Sequence, residues 1–211
     1  VATTDPRYER YPPGFFDRVD DEPDGGFYAQ PRLVTHIDDE AIAAVGRLYR
    51  RLGLGGRVLD LMGSWVSHFE PAPPMLVVAG RNGRELAANP QAGGGVVVDL
   101  NRHQGLPFTD RAFDGATCCV SVDYLVSPIE VFDEVARVLR PGGIFCVTFS
   151  NRCFPTKVIQ GWARTDDRTH VAIVADYFRL SGPWADLRHG IDGPPQRAGD
   201  PLYAVWARRS G

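Results

Sequence analysis

The stretch Ser127-Pro128-Ile129-Glu130-Val131-Phe132-Asp133-Glu134-Val135-Ala136-Arg137-Val138-Leu139-Arg140-Pro141-Gly142-Gly143-Ile144-Phe145-Cys146-Val147-Thr148-Phe149 decides the fold. Ile129, Phe132, Val135 and Val138 recur at three-to-four spacing, which predicts a helix over Pro128–Leu139. Ser127 stands where a cap belongs, Pro128 fits the first turn, and Glu130 completes a capping box. Ile144–Phe149 is continuously apolar, as in a strand buried on both faces.

Outward from this unit the alternation repeats. Arg57–Leu61, Met75–Ala79, Val96–Asp99 and Phe113–Val120 read as strands, with a helix at Asn82–Ala88. Asp38 caps a helix to Leu52, with Arg50 and Arg51 in its last turn and Gly53 as its stop. Such alternation implies right-handed crossovers and an open, doubly wound α/β sheet of mostly parallel strands. The tail predicts helices at Phe154–Ala163 and Thr165–Leu180. Trp184–Ile191 and Leu202–Arg208 then form an antiparallel pair, because the link Asp192 to Pro201 is too short for a crossover helix. Residues 1–37 are rich in Pro, Gly, Asp and aromatics without periodicity. They read as an amino-terminal arm packed on the domain 38–211.

The chain has 211 residues, 23 Lys plus Arg against 26 Asp plus Glu, and a formal net charge of −3. That balance argues against a dedicated nucleic-acid binder. No apolar run approaches a bilayer span, so no membrane partner is expected. Val1-Ala2-Thr3-Thr4-Asp5 carries no signal-peptide core, and Cys118, Cys119, Cys146 and Cys153 show no metal-ligand spacing. Reduced thiols, a cytoplasmic location and no metal are expected; nothing in the sequence sets the oligomeric state.

In an open parallel sheet ligands bind beyond the carboxyl ends of the strands. Five clusters converge there: Asp60 to His68, Gly80-Arg81-Asn82, Asp99-Leu100-Asn101, Ser121-Val122-Asp123-Tyr124 and Ser150-Asn151-Arg152.

Val96 to Gly143 resembles the class I S-adenosylmethionine-dependent methyltransferases, type 11 group. The matching elements are Asp99, Leu106-Pro107-Phe108, Phe113-Asp114 and Glu134-Val135-Ala136-Arg137-Val138-Leu139-Arg140-Pro141-Gly142-Gly143, with Val58-Leu59-Asp60-Leu61 upstream. The family's seven-stranded sheet ends in an antiparallel strand, as read above. The resemblance implies S-adenosylmethionine as cofactor and methylation of a small-molecule acceptor. It places Asp99 on the adenine amino group and Leu100 with Asn101 on the ring edge. Asp60, Met62, Gly63, Ser64 and Ser121 fall to the rest of the cofactor site.

The family's first loop carries three glycines where this chain has Met62, Ser64 and Val66. The acid that usually follows the second strand is replaced by Gly80-Arg81-Asn82. Asn82 is the neutral substitute, ahead of Glu85. A methyltransferase-like protein without catalysis, serving as a binding or regulatory module, is the alternative that this loop supports. A nicotinamide dehydrogenase lacks both its glycine pattern and its acid.

Methyl transfer needs positioning and, for some acceptors, a base. Asp123 and His68 are the expected catalytic residues. Tyr28, His36, Trp65, Tyr124, Asn151 and Arg152 are expected on the substrate, with the arm as a lid.

Overall fold

The computed structural model describes residues 5–191 and 199–211. The link expected to follow Asp192 lies largely outside them, as do Val1 to Thr4. The elements run α1 (Asp24–Phe27), α2 (Asp39–Leu52), β1 (Arg57–Leu61), β2 (Met75–Gly80), α3 (Gly83–Ala88), β3 (Gly94–Val97), β4 (Phe113–Cys119), α4 (Pro128–Val138), β5 (Leu139–Phe149), α5 (Gln160–Ala163), α6 (Asp167–Leu180), β6 (Trp184–Ile191) and β7 (Tyr203–Arg209).

One seven-stranded sheet has the order β3-β2-β1-β4-β5-β7-β6. β1 to β5 pair in parallel, and β7 runs antiparallel to both β5 and β6. This is the Rossmann-like, doubly wound sheet that the strand–helix alternation implies.

Period-two alternation divides the strand side chains between two cores. Val58, Leu76, Val78, Ile144 and Cys146 meet Ala41, Ala44, Val45 and Leu48 of α2 on one face. Leu59, Leu61, Ala116, Phe145 and Val147 meet Phe132 and Val135 of α4 and Phe178 of α6 on the other. Each fully buried aliphatic or aromatic side chain contributes about 1.5–3 kcal/mol, so no strand can slip by one residue without forfeiting both faces. Asp38 caps α2 by accepting from the Ala41 N–H at 2.9 Å, and Gly53 closes it in the left-handed conformation, φ 70°.

Four local readings are corrected. β3 sits two residues earlier than read, because Gly94–Val97 pairs with Val77–Gly80. β5 begins at Leu139, so the Pro141-Gly142-Gly143 turn is drawn into the strand's extended path. Residues 154–159 are not helical: Ile159 instead makes a β-bridge to Arg18 of the arm. Ser127 makes no side-chain cap. The arm supplies that bond: the Tyr8 hydroxyl donates to Glu130 and accepts from the Ile129 N–H at 3.1 Å.

Candidate functional site

A cavity of about 310 Å³ lies at the carboxyl ends of the parallel strands, with arm residues across from the rim. The rim wall begins with the loop after β1. The Gly63 N–H donates to the Ala79 carbonyl at 3.1 Å, which brings this loop onto the end of β2. A Cβ on Gly80 would overlap the Gly63 carbonyl oxygen, so this crossing requires glycine. Met62 has φ 54°. The backbone is thus left-handed at Met62, a shape that glycine takes without strain and that costs an L residue about 1–2 kcal/mol. The Met62 side chain is half-buried against the core and lines the cavity.

Ser64 also lines the cavity, with its hydroxyl donating to Glu85 at 2.6 Å. The other Glu85 oxygen accepts from the Arg32 N–H at 2.7 Å. Glu85 therefore brings a buried carboxylate to the wall near the end of β2. Asn82, expected to fill this role, is outside the wall. Its oxygen caps α3 by accepting from the Arg84 N–H at 2.9 Å, and its amide donates to the Tyr28 carbonyl at 2.9 Å. One helical turn separates the two residues, and only Glu85 faces inward.

Asp99, Leu100, Asn101 and Ser121 all line the cavity. Asp99 accepts from the Asn101 N–H at 3.1 Å and pairs with Arg81 at 3.3 Å. Arg81 thus stands where the family carries an acid and leans on the carboxylate expected at the adenine. Every polar atom of the Asn101 side chain is used. Its amide donates to Asp24 and to the Tyr124 carbonyl, each at 2.9 Å, and its oxygen accepts from Val126 at 3.0 Å. The Ser121 hydroxyl donates to the Cys119 carbonyl at 2.9 Å.

Several expected residues stand back from the wall. Asp60 is sealed beneath the first loop and accepts from the Thr117 hydroxyl at 2.8 Å; burial pushes its pKa up to about 6. Asp123 is buried with one carboxylate oxygen lacking a partner, and burial pushes it up to about 7. It does not reach the cavity. His68 is drawn down to about 4, by burial first and then by His36, and it too stays outside the wall. The Trp65 indole N–H donates to the Val34 carbonyl at 3.0 Å and so pins the first loop to the arm. Asn151 is exposed and accepts from the Ser150 hydroxyl at 3.3 Å. Hydrogen bonds hold Asp60, Trp65 and Asn151 where they are, whereas Asp123 and His68 are set back by burial.

The arm wall holds Asp24, Tyr28, Arg32, Thr35 and His36. Asp24 is buried with Arg18 at 2.8 Å and Lys157 at 3.3 Å. Lys157, the chain's single lysine, is itself buried and donates to the Glu22 carbonyl at 2.8 Å. His36 remains accessible at the mouth, 5.4 Å from the Phe154 ring, and desolvation lowers its pKa. The Tyr124 hydroxyl accepts from the Phe154 N–H at 2.8 Å, and Arg152 pairs with Asp200 at 2.8 Å. Sequence reasoning missed Asp24 in the wall, and it placed Arg81 on the rim without giving it a role. Asp24 lies in an acidic run that reads as a solvated loop, and only the lone lysine hints at its partner. No group of three or more metal-ligating side chains occurs among the described residues.

The fold and the position of the rim cavity resemble those of class I methyltransferases. Residues 51–147 match the family described as "Methyltransferase domain". A demethylmenaquinone methyltransferase of Mycobacterium sp. (strain KMS) is 37% identical over 125 residues, covering 56% of this chain and 51% of that protein. The biotin biosynthesis bifunctional protein BioHC of Teredinibacter turnerae is 32% identical over 81 residues, 36% of this chain and 14% of that protein. The chain thus spans about half or less of the curated relatives it matches. In solved structures, the Haloferax volcanii putative methyltransferase, in complex with the Trm112 activator, superposes with a TM-score of 0.59 at 15% identity, covering 82% of this chain and 91% of that one. That likeness is one of fold.

Proposed function

We propose that this protein binds S-adenosylmethionine in the rim cavity and methylates a small molecule. The observation that carries the reading is the first loop. It has a left-handed turn at Met62 and a glycine crossing at Gly63 and Gly80, although the three family glycine positions hold Met62, Ser64 and Val66. Asp99 and Leu100 would hold the adenine edge. Glu85, with Ser64, would take the ribose hydroxyls in place of the missing acid. When bound, the cofactor supplies a methyl on a sulfonium, which needs no acid to leave as a neutral thioether.

The chain's own residues then orient the acceptor and take its proton. His36 is the base that the cavity offers. Its lowered pKa keeps it neutral at pH 7, able to accept a proton from an acceptor hydroxyl or amine as the new bond to carbon forms. Tyr28, Tyr124 and Phe154 exclude water from that end. The relatives' names, a demethylmenaquinone methyltransferase among them, favour a small-molecule acceptor over a macromolecule.

Titration calorimetry with S-adenosylhomocysteine tests the reading: saturable one-to-one binding that Gly80→Ala abolishes is expected. No binding at all would sink it. The Arg81–Asp99 pair favours a second reading, a binding module without catalysis. Binding without methyl transfer to any acceptor, together with tighter binding on Arg81→Ala, would select that one.

A further inference from the structure

Arg32 is the one wall cation whose guanidinium has no carboxylate partner among the described residues. Arg81 is neutralised by Asp99 and Arg152 by Asp200. Glu85 meets only the Arg32 backbone, at the N–H. The Arg32 guanidinium carbon lies 4.4 Å from the Phe27 ring centre and 5.3 Å from that of Phe154. Cation–π contact holds it in place without cancelling its charge. Nη2 donates to the Phe27 carbonyl at 2.9 Å. Nη1 is buried and has no hydrogen-bond partner. A buried donor left without a partner is costly, more so on a charged group, so native proteins rarely leave one without a use.

We propose that the acceptor is a small carboxylic acid whose carboxylate docks on Arg32. This deepens the methyltransferase reading and rests on it. The chemistry of the wall selects a carboxylate over a phosphate. A single guanidinium without a carboxylate partner suits a single negative charge, whereas a dianion needs several donors. Glu85, which among the described residues accepts only from the Ser64 hydroxyl and the Arg32 N–H, stands in the same wall and repels a second charge. His36, neutral at pH 7, adds no cation to offset it. The body of the acceptor is flat and apolar, because the Tyr28 and Phe154 rings lie next to Arg32 and the Tyr124 ring is 5.8 Å from that of Phe154. The amino-acid carboxylate of the cofactor is the other source of the same chemistry. It fits less well, since its binding surface is the loop at Met62–Ser64, whereas the Arg32 guanidinium sits against Phe27 and Phe154.

The test is calorimetry on the full chain saturated with S-adenosylhomocysteine. The probes are benzoate and hexanoate against the neutral benzamide and hexanamide. The acids should bind about tenfold or more tightly than the amides, as a charge-assisted contact requires. Arg32→Met should erase that preference, and Arg32→Lys should keep part of it. 5′-Methylthioadenosine, which has no carboxylate, should bind Arg32→Met as it binds the parent.

An acid preference that is absent from the parent, or that survives in Arg32→Met, overturns the proposal. So does an Arg32→Met variant that weakens S-adenosylhomocysteine but spares both 5′-methylthioadenosine and the acids, which would give Arg32 to the cofactor. If Arg32→Met binds nothing, Arg32→Lys decides, and a preference lost there as well overturns it. Failure of S-adenosylhomocysteine to bind the parent sinks the methyltransferase reading instead.

Discussion

The two walls of the cavity are built on different physics. The rim wall is set by the backbone: five parallel strands end together, and the first loop crosses at Gly63 and Gly80. It tolerates Met62 and Ser64 at glycine positions because the strands beneath do not depend on them. The arm wall has no regular structure longer than one turn of helix at α1. It is held by a buried ion cluster of Arg18, Asp24 and Lys157, by the Tyr8 cap on α4, and by rings packed on Tyr177. A wall made from strand ends degrades gently when side chains change. A wall made from buried charges fails when one partner is removed.

The largest effect should follow from breaking the arm's cluster. Lys157→Ala leaves Asp24 and Asp20 facing each other with one cation fewer. Removing one member of a buried pair costs about 3–5 kcal/mol. Urea denaturation should show that loss, and a change under 1 kcal/mol would mean that Arg18 alone holds the arm.

The rim contains one charge that it would be better without. Asp60 has a folded pKa of about 6 against its ordinary 3.8. The folded state therefore binds the proton more readily than the unfolded state does. The stability this gives is complete below the ordinary value and is lost as pH rises through the folded value, about 2–3 kcal/mol in all. Asp60→Asn should lack that slope, so the stability difference between variant and parent should move in the variant's favour from pH 4 to pH 7. A difference that stays flat across this range would refute the assignment.

Gly80→Ala forces a Cβ onto the Gly63 carbonyl. Overpacking of this kind costs about 1–3 kcal/mol, and the backbone shift should abolish nucleoside binding. Denaturation and calorimetry read the two effects separately. Asp99→Ala should weaken S-adenosylhomocysteine binding by about 1–2 kcal/mol through a lost hydrogen bond. Unchanged affinity would remove the adenine from this end. The smallest effect is at Tyr8→Phe, which leaves Glu130 and the first turn of α4 without the hydroxyl. About 1 kcal/mol, seen as a lowered melting temperature, is the expected loss of a cap.

The sheet was legible because its signals are local. Runs such as Met75–Ala79 and Ile144–Phe149 are apolar on both faces, and α2 and α4 carry strong periodic stripes with their punctuation beside them. The rim was partly legible: strand ends named Asp99, Leu100, Asn101 and Ser121, and all four line the cavity. Local bonding hid the rest. Nothing in the sequence near Asn82 says that its amide points to Tyr28 and leaves the wall to Glu85. The arm was illegible for a different reason. Tyr8 reaches Glu130 across 122 positions and Asp24 reaches Asn101 across 77, and no periodicity records such a contact.

The buried clamp at Lys157 gives the molecule a clock of its own. With a single lysine in 211 residues, a lysine-specific endoprotease has one peptide bond to cut. That residue is 1% exposed and lies under the arm's Asp20, Glu22 and Asp24. Cleavage therefore waits for the arm to lift. With enough protease for cleavage to outpace reclosing, the rate at which two fragments appear counts those openings, and a ligand that bridges rim and arm slows the count without any label attached.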